Sequence, residues 1–126
     1  MPDAPRTFRF TRDMRLKLQN DFKRVTDSNV KFTRGPLFVF AAKSQHKKSR
    51  MGIRVGRKIG SAPLRNRIKR MLREAFRLMQ HDWPMPVDLV ISVRPHDGFT
   101  LAEYQKLMTG IMVKSVTMLR SQPADE

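Results

Sequence analysis

The segment PLRNRIKRMLREAFR, residues 63–77, constrains the fold most, because only as an α-helix does it separate apolar from basic side chains. At about 100° per residue, one arc of this helix and its continuation is apolar and the opposite arc is basic. The apolar arc contains Leu64, Ile68, Met71, Leu72, Ala75, Leu78 and Met79. The opposite arc contains Arg65, Asn66, Lys69, Arg70, Arg73 and Arg77, with Arg67 at its margin. The sequence therefore predicts a surface helix, starting at Ser61 or Ala62 and ending near Gln80.

Strands are predicted on both sides of this helix. Residues 37–43 follow the turn residues Gly35 and Pro36 and are apolar on both faces, which is typical of a covered strand. Residues 50–58, RMGIRVGRK, alternate in polarity, and we interpret them as the hairpin partner of residues 37–43. After the helix, residues 87–93 form a near-continuous apolar run of strand type, bounded by prolines.

Two further helices complete the prediction. A short helix near residues 20–28 would present Phe22 and Val25 on one edge, and a last helix would open with a capping box at Thr100 and Glu103. The simplest layered arrangement is an α+β sandwich, with helices packed on a small mixed sheet. We expect one domain over residues 1–126, with an irregular lead-in at 1–12 and a frayed tail at 121–126.

The formal net charge of +15 favours a polyanionic partner, and nucleic acid is the leading candidate. No long apolar span or secretion signal is visible, so we expect no membrane partner and a cytoplasmic location. The absence of cysteine excludes disulfides, thiolate metal sites and a cysteine nucleophile.

The basic face of the helix indicates RNA binding rather than simple solvation. Arg65, Lys69 and Arg73 form a ladder of like charges at i,i+4 spacing, and such pairs destabilise a helix by about 0.2–0.5 kcal/mol each. The phosphates of a bound strand would relieve this repulsion. Arginine predominates over lysine, which suits bidentate contacts with phosphate.

A catalytic centre in the chain itself is not predicted. The aspartates are scattered, and the histidines at 46, 81 and 96 are each alone in sequence. We expect Asp88 to pair with a nearby arginine and Trp83 to close an edge of the core. For Phe22, Phe38 and Phe40, sequence physics favours core packing over base stacking.

Residues 52–77, GIRVGRKIGSAPLRNRIKRMLREAFR, resemble the signature of the bacterial ribonuclease P protein subunit. Supporting similarity lies in RLKLQNDFKRV at 15–25, in PLFVFAA at 36–42 and in DLVISVRP at 88–95. The resemblance implies an α-β-β-β-α-β-α order with a left-handed β-α-β crossover, which general handedness rules would disfavour. Where this family commonly has an aromatic residue, the chain has Thr26.

The resemblance also implies a function. Catalysis would belong to an RNA subunit that uses Mg²⁺, and the protein would bind that RNA and the 5′ leader of precursor tRNA. The RNA-contacting residues would be Arg57, Lys58, Arg65, Asn66, Arg67, Lys69, Arg70 and Arg73. The leader would lie against Phe22, Phe38 and Phe40, which reverses the preference for core at these positions. No obligatory protein partner is expected.

Two other functional classes stay open on the sequence. A general RNA-binding protein of ribosomal or chaperone type would use the same basic face without any role in cleavage. A protein-only nuclease would cleave without added RNA. Affinity that depends on the leader is expected only of the ribonuclease P subunit.

Overall fold

Three helices and four strands make up the part of the chain that the computed structural model describes, which is Arg15, residues 19–96 and residues 98–122. Their bounds, in chain order, are α1 Gln19–Thr26, β1 Val30–Arg34, β2 Leu37–Lys43, β3 Arg50–Arg54, α2 Ala62–Leu78, β4 Val87–Val93 and α3 Leu101–Arg120. A short 3₁₀ turn, Arg57–Ile59, leads into α2. The predicted α+β class and element order are confirmed. The predicted lead-in at 1–12 and the last four residues of the predicted tail lie outside the described residues.

The sheet is mixed, with the strand order β1-β2-β4-β3. β2 is antiparallel to both of its neighbours, whereas β3 runs parallel to β4, with Gly52 opposite Val90. The prediction that residues 50–58 are the hairpin partner of β2 is therefore wrong. The polar turn between β2 and β3 is real, but β4 inserts between the two strands and takes both sets of backbone hydrogen bonds. β3 and β4 are joined through α2, as in a β-α-β unit.

The main core lies on the sheet face that α2 and α3 cover. Alternate residues of β2 and β4 point into it and are fully buried: Leu37, Val39, Ala41, Leu89 and Ile91. α1 lies on the opposite face, where Val25 packs with Val90 in a smaller cluster. Because α1 is only two turns long, Phe38 and Phe40 on this face are half-buried rather than buried.

α2 begins as predicted, because the Ser61 side chain accepts a hydrogen bond from the Leu64 backbone N–H and Pro63 occupies the first turn. Its inward arc differs from the prediction at the end of the helix. Leu78 is exposed, whereas Phe76 is fully buried and contacts the ring of Trp83 at 6.0 Å between centroids. The helix ends at Leu78, so the chain turns there and Met79 packs into the core instead.

Candidate nucleic-acid interface

The outward face of α2 carries the predicted basic residues. Asn66, Arg67 and Arg70 are exposed, and Arg65, Lys69 and Arg73 are half-buried at its margins. The buried Nε of Arg65 has no hydrogen-bond partner among the described residues. A guanidinium held in this way has donors available for an acceptor from outside the chain.

Arg73 lies beside a second cation. Burial, reinforced by the nearby charge of Arg15, lowers the pKa of Arg73. Two like charges that feel each other in this way repel, and a bound phosphate would relieve that repulsion. The end of the basic face near Arg73 is therefore suited to an anion.

The single acid within α2 leaves most of this face uncompensated. Glu74 accepts hydrogen bonds from Arg77, and these bonds lower the pKa of Glu74 and raise that of Arg77. Arg57 and Lys58, on the 3₁₀ turn before α2, are both exposed. The structure thus places the predicted RNA-binding residues on α2 and on the turn that leads into it.

The three predicted leader-binding aromatics lie together on the opposite face of the sheet. The rings of Phe38 and Phe40 meet edge to face at 4.9 Å, and Phe22 approaches them from α1. Gly52 on β3 leaves the room for Phe22, since a Cβ at Gly52 would lie 2.5 Å from the nearest atom of the Phe22 ring, Cζ. These half-buried rings form the aromatic cleft, defined by Phe22, Phe38 and Phe40.

Two arginines that the sequence analysis did not assign flank the aromatic cleft. The guanidinium of Arg54 lies 5.4 Å from the Phe22 centroid, and that of Arg94 lies 5.4 Å from the Phe38 centroid. Strand register explains this arrangement, because Phe38, Ser92 and Arg54 lie in one row across β2, β4 and β3. The alternation of Arg54 with Ile53 and Val55 indicated its face, but not which aromatic it would meet. The cleft therefore combines stacking surfaces with positive charge, which suits single-stranded nucleic acid.

A buried ionic network fixes α1 above the sheet. Asp88 on β4 is 0 % exposed and accepts hydrogen bonds at 3.0 and 2.7 Å from Arg50, its partner across the β3–β4 ladder. Arg24 on α1 also donates to Asp88, and Asp21 on α1 lies 3.5 Å from Arg50. The hydrogen bond with Asp88 raises the pKa of Arg50. The predicted pairing of Asp88 with arginine is confirmed, and it joins α1 to two strands.

Thr26 contributes no ring to the cleft. Its hydroxyl donates to the backbone carbonyl of Phe22, within α1. Residue 26 therefore supplies no aromatic ring to the cleft.

Comparison with known proteins identifies the family. A family model described as Ribonuclease P matches residues 10–115. The chain belongs to the ribonuclease P protein family. The ribonuclease P protein component of Brevibacillus brevis is 33% identical over 114 residues, which cover 89% of this chain and 90% of that protein. That of Dictyoglomus turgidum is 31% identical over 98 residues, 78% of this chain and 82% of that protein.

Solved structures of ribonuclease P proteins share the fold. The protein from Thermotoga maritima superimposes with a TM-score of 0.70 at 25% identity, covering 86% of this chain and 98% of that one. The protein from Staphylococcus aureus gives a TM-score of 0.70 at 26% identity, covering 84% and 97%. Both the basic α2 and the aromatic cleft lie within the residues that the ribonuclease P family model matches.

Donors for a metal ion do not cluster in the described part of the chain. Across Arg15, 19–96 and 98–122, no three histidine, aspartate or glutamate side chains come together in a way that could hold a metal ion. His96 is used internally, since its two ring nitrogens contact the Arg94 carbonyl and the Tyr104 hydroxyl, each at 2.8 Å. No helix in the described part of the chain has the length and apolar content needed to cross a bilayer.

Proposed function

We propose that this chain is the protein subunit of ribonuclease P that binds both the catalytic RNA and the 5′ leader of precursor tRNA. Its role is to assist the Mg²⁺-dependent cut that removes the leader and leaves the mature tRNA 5′ end. Membership of the family supports the assignment to the ribonuclease P holoenzyme. The family match favours this function over a general RNA-binding protein.

The single observation that carries the proposal is the separation of two nucleic-acid surfaces by the sheet. The basic face belongs to α2, which packs on one side of the sheet, and the aromatic cleft lies on the other side with α1. A protein with two such surfaces can hold two RNA segments at once, and the subunit role needs both the RNA subunit and a single-stranded leader.

The two surfaces have different chemistry, and this difference assigns their partners. α2 offers arginines in a rigid row, which suit the phosphates of a folded RNA. The cleft offers aromatic faces, and only an unpaired strand can splay its bases to stack on them. The α2 face therefore takes the catalytic RNA and the cleft takes the leader.

In this proposal the protein's own residues bind RNA and neutralise its phosphates, and they take no part in breaking the bond. Arg54 and Arg94 at the cleft bring positive charge to the leader phosphates, and this lowers the concentration of Mg²⁺ that the holoenzyme needs. The metal ions that act in the cut belong to the RNA-based site in this proposal.

Reconstitution tests the proposal. Purified protein is incubated with precursor tRNA at low Mg²⁺, with and without the catalytic RNA of the same organism, and release of the 5′ leader is followed. We expect cleavage only when protein and catalytic RNA are both present. Cleavage by contaminant-free protein alone would contradict the proposal, and so would an RNA-only rate that the protein does not increase.

A further inference from the structure

A second basic surface lies on α3, away from both surfaces described above. A shallow groove of about 580 Å³ runs between α3 and the end of the edge strand β1. The cations that line it are Arg34, Lys106 and Lys114, and no residue of α2 or of the aromatic cleft contributes to it. We call this surface the α3 groove.

The three cations are arranged as a ladder. Gly110 lies four residues after Lys106 and four before Lys114, and the side chain of Arg34 crosses α3 at Gly110. A rise of 1.5 Å per residue places successive rungs about 6 Å apart along the helix. This spacing matches the separation of successive phosphates along an RNA strand.

Gly110 allows the Arg34 side chain to lie against α3 between Lys106 and Lys114. A Cβ at this position would lie 2.7 Å from Cζ of Arg34, so only glycine leaves the guanidinium flat against the helix. Glycine in the interior of a helix costs about 1 kcal/mol relative to alanine. The fold accepts this cost at the one place where the strand arginine crosses α3.

The charge of the α3 groove is not compensated within the described residues. None of its three cations has a described acid within salt-bridge distance, whereas Lys23, Arg24, Arg50 and Arg77 all have one. The nearest acid along α3 is Glu103, whose carboxylate is engaged by the Thr100 backbone N–H and hydroxyl. Lys114 lies 5.3 Å from the Phe32 ring centroid, which holds its ammonium group at the groove.

We infer that the α3 groove binds the phosphate backbone of the ribonuclease P RNA subunit, as a second contact beside that of α2. α2 and α3 pack against each other on the same face of the sheet, so an RNA that lies on α2 and continues across α3 reaches the groove beside β1. The leader lies on the opposite face, and it is therefore not the partner of this groove. The inference rests on the proposed function, because that function supplies the RNA subunit as the partner.

The test compares two double variants that lose the same charge. Lys106→Gln with Lys114→Gln removes two rungs, and glutamine keeps the helix propensity of lysine. The control is Lys23→Gln with Arg120→Gln, which removes two exposed cations that do not line the groove. Affinity for the RNA subunit is measured over a series of salt concentrations.

For the groove variant, we expect the log–log salt slope to become shallower by about 1.4–1.8, since each lost phosphate contact removes roughly 0.7–0.9. The control should keep the slope of the unmodified chain. Equal slopes for the two variants would overturn the inference. It would also be overturned if the groove variant bound the RNA subunit normally but weakened only the binding of precursor tRNA to the assembled holoenzyme.

Gly110→Ala provides an independent variant that does not threaten folding. Alanine is the better helix former, and the guanidinium it displaces is the end of a flexible side chain, so thermal stability should be kept or raised. The salt slope should nevertheless fall by about one contact, roughly 0.7–0.9. Unchanged RNA affinity and an unchanged salt slope in this variant would count against a phosphate contact by Arg34 in the α3 groove.

Cross-linking separates this inference from the proposed function. The chain has no cysteine, so Val113→Cys places a single thiol in the groove at a position that is 58% exposed. A photoactivated cross-linker there should attach to the RNA subunit, and no attachment would contradict the inference. The proposed function is judged by reconstitution with the unmodified chain, whatever the groove variants show.

Discussion

At the scale of single residues, substitution of Phe22 distinguishes a role in RNA binding from a role in core packing. Its ring fits against Gly52 and under the guanidinium of Arg54, and it is half-buried. If Phe22 stacks on a leader base, Phe22→Ala should weaken binding of precursor tRNA to the holoenzyme by about 1–3 kcal/mol and leave mature tRNA nearly unaffected. Binding of both tRNAs is measured side by side.

The matched control for Phe22 is Phe99→Ala, another half-buried phenylalanine, which packs beside His96 at the start of α3. This control should lose stability without a preference between the two tRNAs. Equal losses for precursor and mature tRNA in Phe22→Ala would show that Phe22 only packs.

Asp88 is the residue whose loss should destabilise the fold most directly. Asp88→Asn removes the carboxylate that the buried Arg50 contacts most closely and leaves Asp21, at 3.5 Å, as its remaining described acid. Removal of one partner from a buried pair costs about 3–5 kcal/mol. Denaturant unfolding would measure this change in the free energy of unfolding. Asp82→Asn, at an exposed carboxylate, should change it by less than about 0.5 kcal/mol. A loss below 1 kcal/mol in Asp88→Asn would show that the network contributes little.

The sequence predicted part of this residue-scale picture. That Asp88 pairs with an arginine followed from its place at the start of an apolar strand, since a carboxylate there needs a partner. Which arginines pair with it depends on α1 crossing β4 and on β3 lying beside it, and both contacts join distant parts of the chain. Local patterns carry no information about such contacts.

At the scale of elements, α2 is the most predictable part of the molecule. Its Ser61 cap and its first-turn proline follow from local residue preferences and are confirmed. Its two arcs follow from spacing at 3.6 residues per turn, and the inward arc differs from the prediction only at the end of the helix, where Phe76 is buried and Leu78 is exposed. β1 was not singled out, because only Val30 and Phe32 alternate in VKFTR. The pairing of β3 was assigned to the wrong strand because nearness in sequence favours a hairpin. The parallel pair with β4 becomes apparent only when the chain returns through α2.

The basic face of α2 gives the prediction for assembly. Arg65→Ala with Arg67→Ala should weaken binding of the RNA subunit and make the salt slope shallower by about 1.4–1.8. The fold should be kept, because neither side chain belongs to the core. Circular dichroism checks the fold, and filter binding measures the affinity. An unchanged affinity for the RNA subunit would remove α2 from the interface.

The capping box of α3 predicts that the stability of the fold depends on pH. The backbone N–H and the hydroxyl of Thr100 donate to Glu103, and these hydrogen bonds lower the pKa of Glu103. A carboxylate with a lowered pKa in the folded state stabilises above its unfolded pKa of about 4.3, and this stabilisation is lost as pH falls through the folded value.

The check for α3 is a comparison with Glu103→Gln, whose amide accepts hydrogen bonds but does not titrate in this range. Between pH 6 and pH 3, the melting temperature of the unmodified chain should fall relative to that of Glu103→Gln. A constant difference over this range would show that the ionised capping box does not stabilise α3.

At the scale of the whole molecule, the net charge of +15 determines how stability depends on salt. Cations crowd α2, the rim of the aromatic cleft and the α3 groove, so the folded chain repels itself. Added salt screens this repulsion, and the melting temperature should rise between about 0.05 and 0.5 M sodium chloride. A calorimetric series over that range is the measurement, and a melting temperature that falls with salt would contradict this view of the molecule.

The position of β4 also decides when the aromatic cleft can form during synthesis. Of the described strands, β4 is the last to leave the ribosome, yet it forms the middle of the sheet, between β2 and β3. A nascent chain that ends before Val87 therefore has no continuous sheet, and neither Arg50 nor α1 has its anchor at Asp88. Such long-range pairing makes folding slow relative to local helix formation. The aromatic cleft is thus assembled only after β4 has been made, and a chain truncated before Val87 cannot present it.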